Sequence, residues 1–266
     1  MIGTPAGIDR QALLIFGVNM KRAARKILLL VCILALIFSA LKLYSYWSEN
    51  RESEKLNEQI AEKFVAVEDD SQIPITVDFA QLKQQCGDVV GWLYCEGTVI
   101  NYPVVQAQDN DYYLRRMLDG SYNANGTLFM DCKNDPNMGS LNTIIYGHHM
   151  RSGAMFAVLD RFSEQEFYEE HPVMWFLTEQ RAYRIDLIAT FVTPSDSDSY
   201  KVFDEPEELA AYLAEALGKS KFETNADTQN ISQIMTLSTC AYEYEKSRTV
   251  VIGSVIPIEY ENGAVD

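Results

Sequence analysis

The chain has 266 residues, of which 47% are apolar and 11% aromatic. This is enough for one buried core of up to ~200 residues together with an appendage. The formal net charge of −16 is uneven, because residues 1–47 contain six Lys/Arg and one Asp (+5), so residues 48–266 carry −21. So acidic a body argues against nucleic acid as a partner.

The N-terminal appendage has the composition of a membrane anchor. Four basic residues in "KRAARK" precede an apolar run over residues 27–41, and three aromatic residues follow it: Tyr44, Tyr46 and Trp47. The 21 residues from 27 to 47 match the ~20 that a helix needs to cross a bilayer. We therefore predict a transmembrane signal-anchor over residues 27–47. A cleaved signal peptide is the alternative, but no small-x-small cleavage site follows the apolar run.

The charge order predicts the topology of this anchor. Because basic flanks stay on the cytoplasmic side, residues 1–26 are expected inside the cell and the acidic body outside. Residues 1–19 add nothing to this topology, and Met20 directly precedes the basic cluster. Met20 is therefore a candidate translation start, which N-terminal sequencing would test.

Residues 48–74 are predicted to form a helical stalk or extension between the anchor and the body. This segment is polar and charged, with Leu56, Ile60 and Phe64 at fourfold spacing. The spacing favours a short amphipathic helix. A solvated stalk fits the composition equally well.

Residues 75–266 are predicted to form a mostly β barrel with a few surface helices. Runs rich in β-branched and aromatic residues predict about eight strands without regular βα alternation: 89–106 (more than one strand), 126–131, 142–148, 173–178, 182–193, 231–240 and 249–258. One helix is predicted over 163–170, with Ser163 as N-cap and Glu166 three residues on. A second is predicted over 204–220, with Pro206 in its first turn and Gly218 near its end.

Four cysteines lie outside the anchor: Cys86, Cys95, Cys132 and Cys240. An exported chain is expected to oxidise pairs of cysteines, and Cys86 and Cys95 are close enough in sequence to bridge. Two disulfides are possible by count. Against them, the spacings match no compact disulfide framework, and a core of this size needs no covalent cross-links.

The histidine pattern gives little support to a metal site. His148 and His149 are adjacent near a predicted strand end, and neighbouring residues on a strand point to opposite faces. The sequence contains no CxxC, HxH or HExxH spacing. We therefore predict no metal and no cofactor.

Nucleophilic catalysis fits these residues better. Cys240 ends one predicted strand, and Arg248 begins the next after the connection "AYEYEKS". If the two strands are neighbours, Cys240 and Arg248 face each other. The arginine can then donate hydrogen bonds and positive charge to an oxyanion, and a nearby cation favours the thiolate. The alternatives are a surface ion pair of Arg248 with Glu243 or Glu245 and a structural role for His148.

The motifs that carry these residues resemble those of the sortases, and within them class B. "TLSTC" resembles the TLxTC signature that ends in the nucleophile, here Cys240. "KSRTVVIG" places Arg248 at the head of the following strand, and "NTIIYGHHM" is similar to the class B histidine motif, whose functional residue follows Gly and is here His148. "DVVGWL", "INYPVVQAQDNDYYL" and "GTLFMD" extend the resemblance over residues 75–258. Two positions depart from it: "LYCEGT" lacks the usual Pro, and His149 replaces the common Asn.

The resemblance implies an eight-stranded β-barrel enzyme with an N-terminal helical extension. Such an enzyme cleaves an LPxTG-like or NPxTx-like sorting signal after Thr through a Cys240 thioester. It then joins the protein to a peptidoglycan amine at the Gram-positive cell surface. His148 would act as general acid and base, and Arg248 would stabilise the oxyanion. Three residues next to these groups are candidate substrate contacts: Tyr146, Ser238 and Thr239.

Other functions remain open from sequence. A cysteine hydrolase would use water in place of the amine, although papain-like enzymes have their cysteine before their histidine, the reverse of the order here. A membrane-tethered surface module without catalytic activity would hold Cys240 as a buried core thiol. Aminolysis by hydroxylamine separates the transferase from the hydrolase, and thiol labelling separates both from the tethered module.

Overall fold

The computed structural model describes residues 10–68, 71–240 and 247–260, with the backbone alone for residues 10–24 and Cys240. The chain divides into two units, Met1–Glu49 and Asn50–Asp266. The first helix, α1 (Arg10–Phe64), belongs to both. In the first unit its apolar side chains from Ile27 to Trp47 are largely exposed, and by length and composition this stretch could cross a membrane.

The second unit is a closed eight-stranded barrel with short helices. A two-stranded antiparallel hairpin comes first, formed by β1 (Val65–Val67) and β2 (Ile75–Val77), and α2 (Phe79–Gln85) follows it. The barrel strands are β3 (Val89–Tyr94), β4 (Asn101–Val105), β5 (Leu128–Met130), β6 (Asn142–Tyr146), β7 (Val173–Leu177), β8 (Ala182–Pro194), β9 (Ile234–Cys240) and β10 (Ser247–Ile258). Their order around the barrel is β10-β8-β7-β3-β4-β5-β6-β9.

Most barrel pairs are antiparallel, but β4–β5 and β6–β9 are parallel. Between β6 and β7 lie a 3₁₀ segment, Phe156–Ser163, and α3 (Gln165–Glu170), and α4 (Pro206–Lys219) lies between β8 and β9. Shorter 3₁₀ segments are Tyr112–Arg115 and Asp198–Tyr200. The barrel and its surface helices confirm the fold class expected from the sequence.

Three hydrophobic clusters hold the second unit together. The largest takes buried residues from all eight barrel strands, so it fills the barrel interior, and Phe156, Leu159 and Phe162 of the 3₁₀ segment join it. A second cluster packs the end of α1 and α2 against the outer face of the barrel, and it includes Ile60 and Phe64. A third packs α4 against β8, β9 and β10. The fourfold spacing near the end of α1 thus marks a buried face.

One detail of the helix predictions differs from the structure. The helix predicted over 204–220 is observed with Pro206 at its start, close to the predicted bounds. The N-cap prediction for Ser163 was wrong, because Glu164 is the residue before α3 and makes no side-chain cap hydrogen bond. The Ser163 hydroxyl instead donates to the Asp160 carbonyl at 2.7 Å, which closes the preceding 3₁₀ segment.

Gly91 gives a stability prediction for the barrel. A Cβ at this position would contact the Phe176 ring and lie 2.8 Å from the Leu177 carbonyl oxygen of the paired strand β7. We expect Gly91→Ala to destabilise the fold by about 1–3 kcal/mol through overpacking, which lowers Tm by several degrees. Thermal unfolding measures this. Gly87→Ala is the control because, apart from its chain neighbours, no atom of the described residues lies within 4 Å of its Cβ position. Equal Tm values for both variants would contradict the packing argument.

Candidate active site

Cys240 and Arg248 are partners across two neighbouring strands. β9 and β10 are antiparallel, and their register places Arg248 opposite Cys240, Thr249 opposite Thr239 and Val250 opposite Ser238. Cys240 is the last residue of β9, and Arg248 is the second residue of β10. The backbone register thus places Cys240 and Arg248 opposite each other, as the sequence predicts for neighbouring strands.

His148 reaches the same end of the barrel from the other side of β9. β6 runs parallel to β9, with Tyr146 opposite Ser238. Beyond the strand, the Gly147 backbone N–H still donates to the Ser238 carbonyl at 3.1 Å. His148 lies two residues after Tyr146, and Cys240 lies two residues after Ser238. The three candidate catalytic residues thus come from three adjacent chain segments at one barrel end.

The imidazole of His148 has one defined partner. Its Nε2 lies 2.7 Å from the Leu114 carbonyl oxygen. Because a carbonyl oxygen can only accept a hydrogen bond, Nε2 carries the hydrogen in this pair. In the neutral ring Nδ1 is then the unprotonated nitrogen. Nδ1 is therefore the atom that can take a proton from, or return it to, a reacting group.

Burial and nearby positive charge lower the pKa of His148 below its ordinary value of 6.5. Desolvation is the largest cause. The hydrogen bond to Leu114 opposes it, and the charges of Arg115 and Arg248 add to it. His148 is therefore mainly neutral near pH 7.

Arg115 offers a way to measure this charge effect on its own. Arg115 is exposed, so we expect Arg115→Ala to produce a small rise in the pKa of His148, one that shrinks at high salt. NMR titration of the His148 ring protons measures it. Arg116→Ala is the control, because that guanidinium lies over the Tyr112 ring at 4.7 Å and is not among the charges that shift His148. A similar rise in both variants would contradict the assignment to Arg115.

Arg248 is half-buried, and its Nη1 donates to the Ser247 carbonyl at 3.1 Å. Glu243 and Glu245, the ion-pair partners suggested by the sequence, lie outside the described residues. The guanidinium has five donors in all. A partly exposed arginine opposite the end of β9 can therefore donate to an oxyanion formed there.

His149 has a different partner from His148. Its Nε2 lies 2.7 Å from Asp160 Oδ2, and Asp160 Oδ1 accepts a hydrogen bond from the Thr249 hydroxyl at 2.6 Å. The two adjacent histidines thus bind separate groups, a backbone carbonyl and a carboxylate. Sequence reasoning missed Asp160, because no local pattern connects it to either neighbour.

Of the three candidate substrate contacts, two are buried. The side chains of Ser238 and Thr239 are 1% and 2% exposed, and Ser238 Oγ lies 3.0 Å from the Tyr200 hydroxyl. Both residues are therefore covered in this structure, and their contact with a bound peptide stays a prediction. Tyr146 is partly exposed, stacks on Tyr200 at 6.1 Å and donates to Asp131 Oδ2 at 2.9 Å.

Three more cysteines lie outside the apolar run of residues 27–41. Cys86, Cys95 and Cys132 are free cysteines, so the candidate Cys86–Cys95 bridge is not formed. Cys95 is fully buried, with Sγ 3.7 Å from the Val173 carbonyl oxygen, and burial raises its pKa to about 12. A thiol with that pKa stays protonated near neutrality and is a poor nucleophile.

The sequence matches the family model for the sortase domain over residues 93–256. It is 29% identical over 243 residues to Sortase B of Staphylococcus aureus, covering 90% of this chain and 99% of that protein. The crystal structure of sortase B from Bacillus anthracis is 32% identical with a TM-score of 0.67, covering 80% of this chain and 99% of that one. A Staphylococcus aureus sortase B–substrate complex is 31% identical with a TM-score of 0.64, covering 68% and 85%.

The sortase-domain match runs from within β3 to within β10 and includes His148, Cys240 and Arg248. The family match covers more than half of the chain, and the structures share the closed eight-stranded barrel. Sequence motifs, fold and relatives thus agree. The chain belongs to the sortase family, within class B, and is a cysteine transpeptidase.

Proposed function

We propose that this enzyme cleaves a C-terminal sorting signal of LPxTG-like or NPxTx-like sequence after Thr and transfers the protein to a peptidoglycan amine. Cys240 is the nucleophile, His148 the general acid and base, and Arg248 the oxyanion donor. The observation that carries the proposal is the register that pairs Cys240 with Arg248 beside the chain segment of His148. The substrate in the Staphylococcus aureus complex supports the same class of reaction.

The acylation step follows from this arrangement. The Cys240 thiolate attacks the threonine carbonyl carbon, and the carbonyl oxygen becomes an oxyanion. Arg248 and a backbone N–H donate hydrogen bonds to that oxyanion. The peptide C–N bond then breaks as His148 Nδ1–H protonates the departing amine. The product is a thioester between Cys240 and the threonine, and His148 is left neutral.

Deacylation reverses these roles. An amine from peptidoglycan attacks the thioester carbon. The amine loses a proton, and Nδ1 of neutral His148 accepts it. Collapse of the second tetrahedral intermediate breaks the C–S bond and forms the new amide. The thiolate and the imidazolium are restored together, so the cycle has no net proton change at the enzyme.

Slow turnover is expected from the protonation states of Cys240 and His148. An ordinary cysteine has a pKa near ~8.5, and the pKa of His148 lies below its ordinary value. Near neutral pH most molecules therefore hold a thiol and a neutral imidazole. Only the minority with a thiolate and an imidazolium can begin acylation.

We propose further that α1 anchors the enzyme in the cell membrane with its N-terminus in the cytoplasm and the barrel outside. The exposed apolar side chains over residues 27–47 and the preceding basic cluster support this topology. On this proposal residues 1–26 are cytoplasmic, 48–74 form the extension and 75–266 the catalytic barrel. Client proteins bearing sorting signals and the cell-wall amine would then meet at the outer face of the cell membrane.

The experiment that tests the reaction uses the full-length protein in detergent with quenched peptides carrying LPxTG-like, NPxTN-like and SPxTG-like signals. We expect one class to be cleaved between Thr and the next residue, with no cleavage by Cys240→Ala. Added hydroxylamine should divert the product to the hydroxamate. A product formed only by hydrolysis, with hydroxylamine in large excess, would identify a cysteine hydrolase instead. Cleavage that survives in Cys240→Ala would overturn the assignment of the nucleophile.

A further inference from the structure

Asp160 links the immediate neighbours of two candidate catalytic residues. Its Oδ2 lies 2.7 Å from His149 Nε2, and its Oδ1 accepts the Thr249 hydroxyl at 2.6 Å. His149 directly follows His148, and Thr249 directly follows Arg248. One carboxylate therefore connects the segment after β6 with the start of β10.

The segment that carries His148 needs such a link, because it lies beyond the end of β6. The His148 carbonyl accepts the Phe156 N–H at 3.0 Å, and His149 forms an isolated antiparallel bridge with Met155. These contacts close a turn on the 3₁₀ segment that contains Asp160. Since Phe156, Leu159 and Phe162 of that segment are buried in the barrel core, Asp160 is attached to a rigid part of the fold.

The second end of the link lies next to the Cys240–Arg248 pair. Thr249 is 5% exposed and pairs with Thr239, one position along the same two strands. Successive residues of a strand point to opposite faces. The Thr249 hydroxyl therefore holds β10 from the face opposite Arg248, which leaves the arginine free of this contact.

The link uses both oxygens of the Asp160 carboxylate as acceptors. A carboxylate only accepts hydrogen bonds, the Thr249 hydroxyl donates to one oxygen, and the His149 ring donates to the other. Both oxygens are used, each by a different chain segment.

We propose that Asp160 is a positioning residue for the transfer reaction, which fixes the spacing between His148 and the Cys240–Arg248 pair through His149 and Thr249. The proposal rests on the proposed function for its choice of reacting groups. Reacting groups displaced by about 1 Å can lose a factor of about 10² in rate. A half-exposed carboxylate that contributed only stability would leave the rate of each folded molecule unchanged.

Kinetics of the full-length enzyme in detergent test the proposal, with active sites counted by alkylation of Cys240. We expect Asp160→Ala to lower kcat about tenfold per active site, with KM within twofold of the wild-type value. Asp160→Asn should recover most of the loss, because an amide can bond both partners once His149 changes tautomer or the Thr249 hydroxyl rotates. Thr249→Val should lower kcat by a smaller factor. It should have no further effect in the Asp160→Ala background, because the link is already cut.

Asp78→Ala is the matched control. Asp78 also accepts two hydrogen bonds, from the Gln81 backbone N–H and the Gln81 side-chain amide, but both of them cap α2. The Asp78→Ala substitution should lower Tm and leave kcat per active site unchanged. An unchanged kcat per active site in Asp160→Ala, with only Tm lowered, would overturn the positioning role.

A second readout separates this proposal from the proposed function. The rate of Cys240 alkylation by iodoacetamide, followed by peptide mass mapping against pH, needs no sorting signal. We expect Asp160→Ala to change this profile and Asp78→Ala to match the wild type. If no peptide is cleaved by the wild-type enzyme but the profile still changes in Asp160→Ala, the positioning role stands and the sorting reaction fails. If the Asp160→Ala profile matches the wild type, the positioning role is overturned.

Discussion

Replacing His148 by glutamine is expected to lower kcat by about 10²–10⁴-fold, the range that a general acid–base group contributes. Glutamine is the informative substitution because its amide nitrogen can still donate to the Leu114 carbonyl oxygen, which His148 Nε2 contacts at 2.7 Å. The position of the side chain is then retained, while the proton exchange at Nδ1 is lost. Peptide cleavage by the full-length enzyme measures the effect.

The pH dependence gives this substitution a distinct signature. Because the folded-state pKa of His148 lies below 6.5, the acid limb of kcat/KM in the wild-type enzyme should fall below pH 6.5. It reports an apparent pKa of the Cys240–His148 pair. In His148→Gln this limb should disappear from the residual activity. An acid limb that persists unchanged would show that another group controls it.

The same pKa shift predicts a change in stability with pH. A histidine whose pKa is lowered by folding stabilises the fold above its unfolded pKa, and this contribution is lost as pH falls through the folded pKa. The wild-type protein should therefore lose stability between pH 7 and the folded pKa of His148, and His148→Gln should lose less. Urea unfolding at pH 7.5 and pH 5.5 measures the difference. Equal losses in both proteins would contradict the assigned cause.

Local sequence patterns predicted the strands well, because each strand is a run of residues that suit a half-buried sheet. The run from residue 182 is observed as β8 (Ala182–Pro194), and the run that ends at Cys240 is observed as β9 (Ile234–Cys240). The pairing of Cys240 with Arg248 also follows from sequence, since a short connection between two strands favours antiparallel neighbours. The resemblance to class B sortases supplied the closed barrel and the choice of His148.

Long-range geometry could not be predicted from these patterns. The parallel pairing of β6 with β9 joins residues more than 90 positions apart, such as Tyr146 and Ser238, and nothing in either segment specifies the partner. Asp160 is a further case, because it lies in a connection between β6 and β7 whose path depends on burial of Phe156 and Phe162. The burial of Ser238 likewise depends on Tyr200, which comes from a distant 3₁₀ segment.

Replacing Arg248 by alanine is expected to lower kcat by about 10²–10³-fold, the effect of removing one oxyanion donor. Arg248 is the residue opposite Cys240, and in the proposed reaction its donors stabilise the oxyanion. Arg248→Lys should recover only part of the activity, because lysine keeps the charge but not the planar fork of donors. Substrate binding is less affected than rate, since the interaction strengthens only as negative charge develops.

The pH profiles of these two variants separate the charge of Arg248 from its hydrogen bonds. The charge of Arg248 helps to lower the pKa of His148, so Arg248→Ala should move the acid limb of kcat/KM to higher pH. Arg248→Lys should leave the limb near its wild-type position while kcat stays low. If Arg248→Ala instead keeps kcat within threefold of the wild type, Arg248 forms a surface ion pair, and another donor must hold the oxyanion. If the two variants have the same acid limb, the charge of Arg248 does not act on His148, and burial of the imidazole sets its pKa.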